Sequence, residues 1–178
     1  MPDFTEESQT AKNERLELSK SSMERDALIK YIQDKFSGKT ELLETAKVEP
    51  IFLIKKEDLF EFSKAIRDDD SLGIDYLCSI SAVDTGEQFE VVYSVASIKN
   101  HIRFDYKIIP DRENPEIDSV IDVWPGANWF EREVWELYGI NVKNHPNLTR
   151  FLLPFEWDQG FPMRKDWDAP DFIRMPEK

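Results

Sequence analysis

The chain has 178 residues, 40% of them hydrophobic, which is enough for one ordinary domain with a real core and too little for two full ones. A formal charge of -13 excludes nucleic acid and direct adsorption to anionic lipid, since both polyanions are bound through clustered Lys and Arg. The longest apolar runs, such as Ile51 to Ile54, fall far short of the roughly 20 residues that span a bilayer, and no signal peptide is expected at the charged start.

Positions 1–20 mix Glu, Lys, Ser, Thr and Asn with few large apolar groups, so this segment reads as a tail that cannot bury enough surface to order itself. A first helix is expected from Ser21, which forms a capping box with Glu24 and places Leu28, Ile32 and Phe36 on one stripe before Gly38. Lys47 to Ile54 suits a strand that enters a second helix, in which Leu59, Phe62 and Ile66 recur at helical spacing and Asp68 to Asp70 mark the end.

Strands are then expected over Ile74 to Val83, Gln88 to Ser97 and Ile102 to Ile108, with turns at 84–87 and 98–100. In the last strand, Ile102, Phe104, Tyr106 and Ile108 alternate with Arg103, Asp105 and Lys107, the period of a sheet with one wet face. The three form an antiparallel meander. Cys78 lies in this apolar region, has no second cysteine to pair with, and reads as a small hydrophobe in a reducing compartment.

Beyond Pro110 a polar loop leads to Pro115, a short helix is expected near Ser119 to Val123, and the chain turns at Pro125-Gly126. Asn128 is placed to cap a new helix, with Glu131 completing a near capping box, Phe130, Val134 and Leu137 facing inward, and Gly139 taking a left-handed conformation at the end. From Asn144 onward, Pro146, Pro154, Pro162 and Pro170 prevent long regular elements. The fold class is therefore α+β: a small antiparallel sheet with helices on one face and an extended C-terminal arm. The division expected is a tail at 1–20, an α+β domain at 21–143 and a proline-rich arm at 144–178.

All five Trp lie between Trp124 and Trp167. Trp, Tyr and Arg in such density are what buried contact surfaces use, since flat side chains contribute area at low entropy and Arg adds directional hydrogen bonds. Known catalytic patterns are missing. One Cys and two His, His101 and His145, cannot complete an iron-sulfur or structural zinc site, and no Gly-rich phosphate loop or Gly-x-Ser-x-Gly elbow is present. Glu131 and Glu133 point about 200 degrees apart on a helix, so they cannot flank one substrate. They read instead as helix N-terminal charge, with Arg132 and Glu136 as an i,i+4 pair. His145, within Asn144-His-Pro-Asn147, reads as a residue fixing a turn rather than as a proton switch. Arg164-Lys165-Asp166 reads as a mixed-charge run that pairs with a partner's groups.

Taken jointly, Trp124-Pro-Gly-Ala-Asn-Trp129, Glu131-Arg-Glu133, Glu136-Leu-Tyr-Gly-Ile140, His145-Pro146, Leu148 and Arg150 resemble the C subunit of the proton-pumping NADH:quinone oxidoreductase, respiratory complex I. The likeness continues through Leu153-Pro154, Trp157, Gly160, Pro162 and Arg164-Lys-Asp166, and upstream through Ser81-Ala-Val-Asp84 and Phe89 to Tyr93. It spans about residues 47–167. Two departures stand out: the family usually has two adjacent basic residues after His-Pro-x-Leu, where this chain has Thr149 first, and Phe151 stands where an aliphatic follows.

The resemblance implies a peripheral-arm protein on the cytoplasmic side of the cell membrane, bound there through companions. It implies no cofactor of its own, with NADH, FMN, iron-sulfur clusters and quinone held by other subunits. The partners implied are the large quinone-site subunit and the iron-sulfur subunits. The contact residues expected are Arg132, Trp135, Glu136, His145, Arg150, Trp157, Arg164, Lys165 and Asp166. Alternatives are the equivalent subunit of a membrane-bound hydrogenase or other-donor quinone reductase, an independent hydrolase using Glu131, Glu133 or His145, and a stand-alone binding adaptor.

Overall fold

In the computed structural model, which describes residues 24–43 and 49–169, three α-helices pack on one face of a mixed five-stranded sheet. The first helix, α1 (Arg25–Lys35), buries Leu28, Ile29 and Ile32, and Phe36 follows at its end. Glu24 precedes it in an extended conformation without a side-chain cap, and the Ser21 cap lies outside the described residues. A strand that the sequence does not announce, β1 (Thr40–Leu43), pairs antiparallel with β2 (Ile51–Ile54). β2 is shorter than the expected Lys47 to Ile54, since Glu49 and Pro50 are outside the ladder.

A single turn of 3-10 helix at Lys56–Asp58 leads into α2 (Leu59–Arg67), whose buried face carries Leu59, Phe62, Ser63 and Ile66. The expected meander follows as β3 (Tyr76–Asp84), β4 (Phe89–Ser97) and β5 (Ile102–Ile108), each neighbouring pair antiparallel. The order across the sheet is β1-β2-β5-β4-β3, and β2 runs parallel to β5. The antiparallel meander is thus present as expected, and the parallel addition of β2 makes the sheet as a whole mixed. The crossover from β2 passes through α2 and two strands before β5 returns, a long-range pairing that local periodicity does not reveal.

Strict alternation in β4 and β5 puts Phe89, Val91, Tyr93, Val95, Phe104, Tyr106 and Ile108 on the helix-covered side, all completely buried. Rings continue the core across the layers. Phe36 packs on Phe62, Phe62 meets Tyr106 edge-on, and Tyr106 stacks flat on Tyr93 with centroids 5.0 Å apart. The Ser63 hydroxyl lies 2.8 Å from the Tyr106 phenol, so one buried polar atom satisfies the other. Cys78 sits half-buried where the β3–β4 register shifts between Leu77 and Ser79.

The short helix expected near Ser119 to Val123 is not formed. That stretch is preceded by β6 (Glu116–Asp118), which pairs parallel with β7 (Asn141–Lys143), and it contains only a hydrogen-bonded turn at 121–123. Val123 and Trp124 amides both donate to the Val120 carbonyl. Pairing with a strand 25 residues downstream overrides the weak local helical signal. Between β6 and β7 lies α3 (Ala127–Tyr138), which packs against β3.

Candidate functional site: the α3 helix and the arm it holds

α3 begins through main-chain contacts. Ala127 and Asn128 amides donate to the Trp124 and Pro125 carbonyls, Gly126 occupies the cap position, and no side chain caps the helix. The Asn128 capping box is thereby corrected: Asn128 lies inside the helix with its Oδ1 buried and unpartnered, and the Glu131 carboxylate points elsewhere. Gly139 ends the helix at φ 70, as its position requires, and a Cβ there would run into the Phe161 ring. Of the expected inward stripe, Val134 is buried, while Phe130 and Leu137 are half-buried against the core; Ala127, Glu131, Glu136 and Tyr138 complete the buried face.

Two carboxylates on the buried face of a helix demand partners, because an uncompensated buried charge is strongly unfavourable. Glu131 receives the Ser119 hydroxyl on Oε2 and the Val120 amide on Oε1, both at 2.6 Å. It is completely buried, and burial pushes its carboxyl up to about 7 despite those two hydrogen bonds, with Asp122 adding repulsion. Glu131 is thus neither dipole decoration nor a surface pair with Arg132. The His145 side chain, also fully buried, brings Nε2 to 3.9 Å from Glu131 Oε2. Its Nδ1 accepts the Asn147 amide at 3.1 Å, the turn-fixing contact expected of it, and burial holds its pKa below the ordinary value.

Glu136 has a different task. Its Oε2 accepts the Phe151 and Leu152 amides and its Oε1 accepts the Leu153 amide, at 2.8 to 3.1 Å, so one carboxylate gathers three consecutive main-chain donors from the arm. Arg132 sits one turn earlier. Its Nε donates to the Thr149 carbonyl at 2.8 Å, and its guanidinium lies over the rings of Trp129 and Phe151. The i,i+4 pairing expected between Arg132 and Glu136 gives way to these arm contacts.

Further along, Arg150 donates to the Trp157 carbonyl, Trp157 Nε1 donates to the Gly160 carbonyl, and Trp167 Nε1 donates to the Gln159 carbonyl. Arg164 closes the arm onto the helix end. Its Nε donates to the Tyr138 carbonyl at 2.6 Å, and its plane lies over Phe89 and Phe161. A cation at a helix C-terminus also meets the negative end of the helix dipole. The Lys165 amide donates to Asp84 Oδ2, and Asp166 lies 3.7 Å from Arg112. Trp135 is half-buried against the core.

The structure therefore brings eight of the nine expected contact residues to α3 and the arm as internal fasteners, with Trp135 as packing. Sequence reasoning missed Asp84 and Arg112. Asp84, at the end of β3, accepts Arg112 through both oxygens, the Gly86 amide and the Lys165 amide; the Arg112 guanidinium holds its carboxyl down to about 2. An Asp beside a Thr-Gly turn signals only the local amide bond, not a contact 81 residues away.

Several large apolar side chains are left outside the fasteners. Trp129 is 58% exposed, Phe151 37%, Leu152 52%, Phe155 94% and Met163 51%, all on α3 or the arm. Large exposed rings gathered on one element mark interaction sites. A groove of about 470 Å³ lies elsewhere, between β1, β2 and the start of the 3-10 turn, and is lined by Lys39, Lys55 and Lys56 among others. Among the described residues no group of three His, Cys, Asp or Glu is placed to hold a metal ion, and no helix is long and apolar enough to cross a membrane.

The chain is 32% identical to the NADH-quinone oxidoreductase C subunit of Chloroherpeton thalassium over 153 residues, covering 83% of this chain and 63% of that protein. It is 41% identical to the protein of the same name from Acidothermus cellulolyticus, covering 65% of this chain and 62% of that one. The F(420)H(2) dehydrogenase C subunit of Methanosarcina mazei is 40% identical over 117 residues, covering 65% of this chain and 71% of that protein. The chain thus spans slightly under two thirds of the first two relatives.

Two solved structures share the fold. A trypsin-resistant fragment of Nqo5 matches with a TM-score of 0.60 and 24% identity, over 71% of this chain and 100% of that one. A chain of the archaeal membrane-bound sulfane sulfur reductase matches with a TM-score of 0.65 and 20% identity, over 86% and 95%. Residues 52–172, which include the sheet from β2 onward, α3 and nearly all of the arm, match one family along their whole length: the chain belongs to the respiratory-chain NADH dehydrogenase 30 kDa subunit family.

Proposed function

We propose that this chain is the peripheral-arm C subunit of a membrane-associated NADH:quinone oxidoreductase, supporting the module that couples quinone reduction to proton translocation. It supplies no redox centre. NADH, FMN, iron-sulfur clusters and quinone are handled by companion proteins, and this chain attaches on the cytoplasmic side by binding the large quinone-site subunit and the iron-sulfur subunits. The observation that carries this reading is the exposed apolar set of Trp129, Phe151, Leu152, Phe155 and Met163 on an arm already fastened to the body. Preordering reduces the entropy lost on association, so rings held in place contribute more of their area to affinity. In this reading the nine residues expected at the interface act mainly by shaping the surface, and the unfastened faces of Arg132, Trp157, Arg150 and Asp166 form its polar rim.

The contribution to catalysis is geometric: redox groups and a quinone pocket need neighbours held rigidly. A second reading, that the electron donor is something other than NADH, is favoured by the 40% identity to the F(420)H(2) dehydrogenase protein. The test is a Trp129→Ser, Phe155→Ser double variant expressed at natural abundance. Copurification of the quinone-site subunit should fall at least about tenfold, since losing two interface anchors removes more than about 1.4 kcal/mol. Unchanged recovery of the assembly and unchanged membrane quinone reductase activity would show that this surface is not where docking occurs. Assay with NADH and with F(420)H(2) separates the two donors.

A further inference from the structure

The three helices cover one side of the sheet, and docking through α3 and the arm leaves the other side without a task. Residues directly opposite in a ladder share a face. The register therefore lines Tyr76 and Val83 of β3, Val92 of β4, and Ile51 and Leu53 of β2 along the open side, around Asp105 of β5. Tyr76 is 52% exposed and Val83 47%, two large apolar side chains that belong to neither α3 nor the arm. A sheet face that meets only water carries polar side chains throughout, whereas here aliphatic and aromatic groups flank a charged central strand.

Asp105 is the middle residue of the middle strand. Its Oδ1 is shut off from solvent and accepts no hydrogen bond among the described residues. The cations beside it on β5 are already engaged: Lys107 pairs with Glu90 at 2.8 Å, and Arg103 lies 3.6 Å from Glu49. A shielded carboxylate oxygen without a donor is unfavourable in the free chain and becomes favourable where a docked surface brings the donor. We propose that the open side of the sheet is a second docking surface, taken by a companion subunit that presents a Lys or Arg side chain to Asp105 from within an aliphatic surface.

The immediate neighbours of Asp105 suit such a side chain. Ser94, opposite it on β4, is small and leaves room above the sheet, and Ile51, opposite it on β2, is an apolar wall for the methylene stem of a Lys or Arg. A second copy of this chain is the poorer occupant. It would bring the same two engaged cations, no spare one for Asp105, and a further net charge of -13. The inference rests on the reading that the chain works inside an assembly, but it concerns a face separate from the arm.

Asp105→Asn, which keeps the shape of the side chain and removes its charge, should act with opposite signs on the free and the assembled chain. In the isolated full chain the urea midpoint should hold or rise, since no internal partner is lost. In the assembled complex the chain should dissociate at least about tenfold faster, because a desolvated cation of the companion is left unpaired. Ser81, exposed on the same side, supplies a footprint. In a Cys78→Ser background, Ser81→Cys should react readily with a maleimide in the isolated chain and at least about tenfold more slowly in the complex, where the companion excludes solvent. Equal alkylation in both states, wild-type dissociation of the Asp105→Asn complex, or a lowered urea midpoint overturns the proposal. So does slow alkylation already in the isolated chain, which would place another part of this chain or a second copy on that face. The Trp129→Ser, Phe155→Ser variant in the same dissociation assay separates the two surfaces: faster release there with none for Asp105→Asn removes this inference alone, and no change in either removes both.

Discussion

The sheet with its helices and the C-terminal arm are held by different forces. In the body, β4, β5 and α2 bury whole rings and branched chains, and Phe104, Tyr93, Tyr106 and Leu59 have no exposed surface. In the arm, hardly a residue is fully buried and no regular element forms between 144 and 169, yet the chain follows a defined course. It does so because side chains of the body reach out for its main chain: Glu136 for three amides, Arg132 for one carbonyl, Asp84 for another amide. Apolar burial is non-directional and adds with area, whereas a carboxylate holding amides acts at a point and is lost with one atom. The body should therefore fail globally and the arm locally.

The largest test of that contrast is Phe104→Ala. It should destabilise the whole chain by about 3–5 kcal/mol, read from the urea midpoint, because a cavity in a closely packed sheet-helix core does not collapse fully. Arm amides, which exchange through local opening, should hardly be affected.

Next is the response to pH, where two carboxylates of the body, Glu131 in its interior and Asp84 facing the arm, contribute with opposite signs. The Glu131 carboxyl is raised from 4.5 to about 7, so the folded state binds its proton more tightly; this stabilisation is complete below 4.5 and is lost as pH rises through 7, about 3 kcal/mol in all. Asp84 is lowered from 3.8 to about 2, so its stabilisation is present above 3.8 and disappears as pH falls through 2, about 2 kcal/mol. Denaturation midpoints should then rise from about pH 8 to about pH 5 and fall again below about pH 4. Glu131→Gln should flatten the first limb, and Asp84→Asn the second.

Smallest in global effect is Glu136→Gln, which leaves one uncharged acceptor oxygen where two carboxylate oxygens served three amides. Exchange at Phe151 to Leu153 should accelerate by an amount equivalent to about 2 kcal/mol, while the urea midpoint of the body hardly moves. A matching loss at both places would mean that body and arm are one cooperative unit, and the contrast would be wrong.

Much of the body is legible in the sequence. The meander follows from the alternation in Ile102 to Ile108 and the turns beside Gly86 and Asn100, and α2 from Leu59, Phe62 and Ile66. The strands that escape or mislead such reasoning, β1, β6 and β7, are three or four residues long and are stabilised by distant partners rather than by local preference. Two or three side chains carry too little period to distinguish a strand from a turn. Around α3, the residue types flag the important surface, but not the direction of each side chain. A Glu on a helix reads as solvent-facing until one knows that Ser119 or the amides of 151–153 lie opposite. The course of an irregular arm leaves no periodic trace at all.

Because Glu136 grips main-chain nitrogen and not side chains, the identity of residues 151 to 153 is left open to whatever presses on the arm from outside. A helix-borne carboxylate sets where that ridge runs, and substitutions along the ridge are free to tune its fit to a neighbour without unseating it. Only proline, which has no amide hydrogen to offer, is barred from those three places.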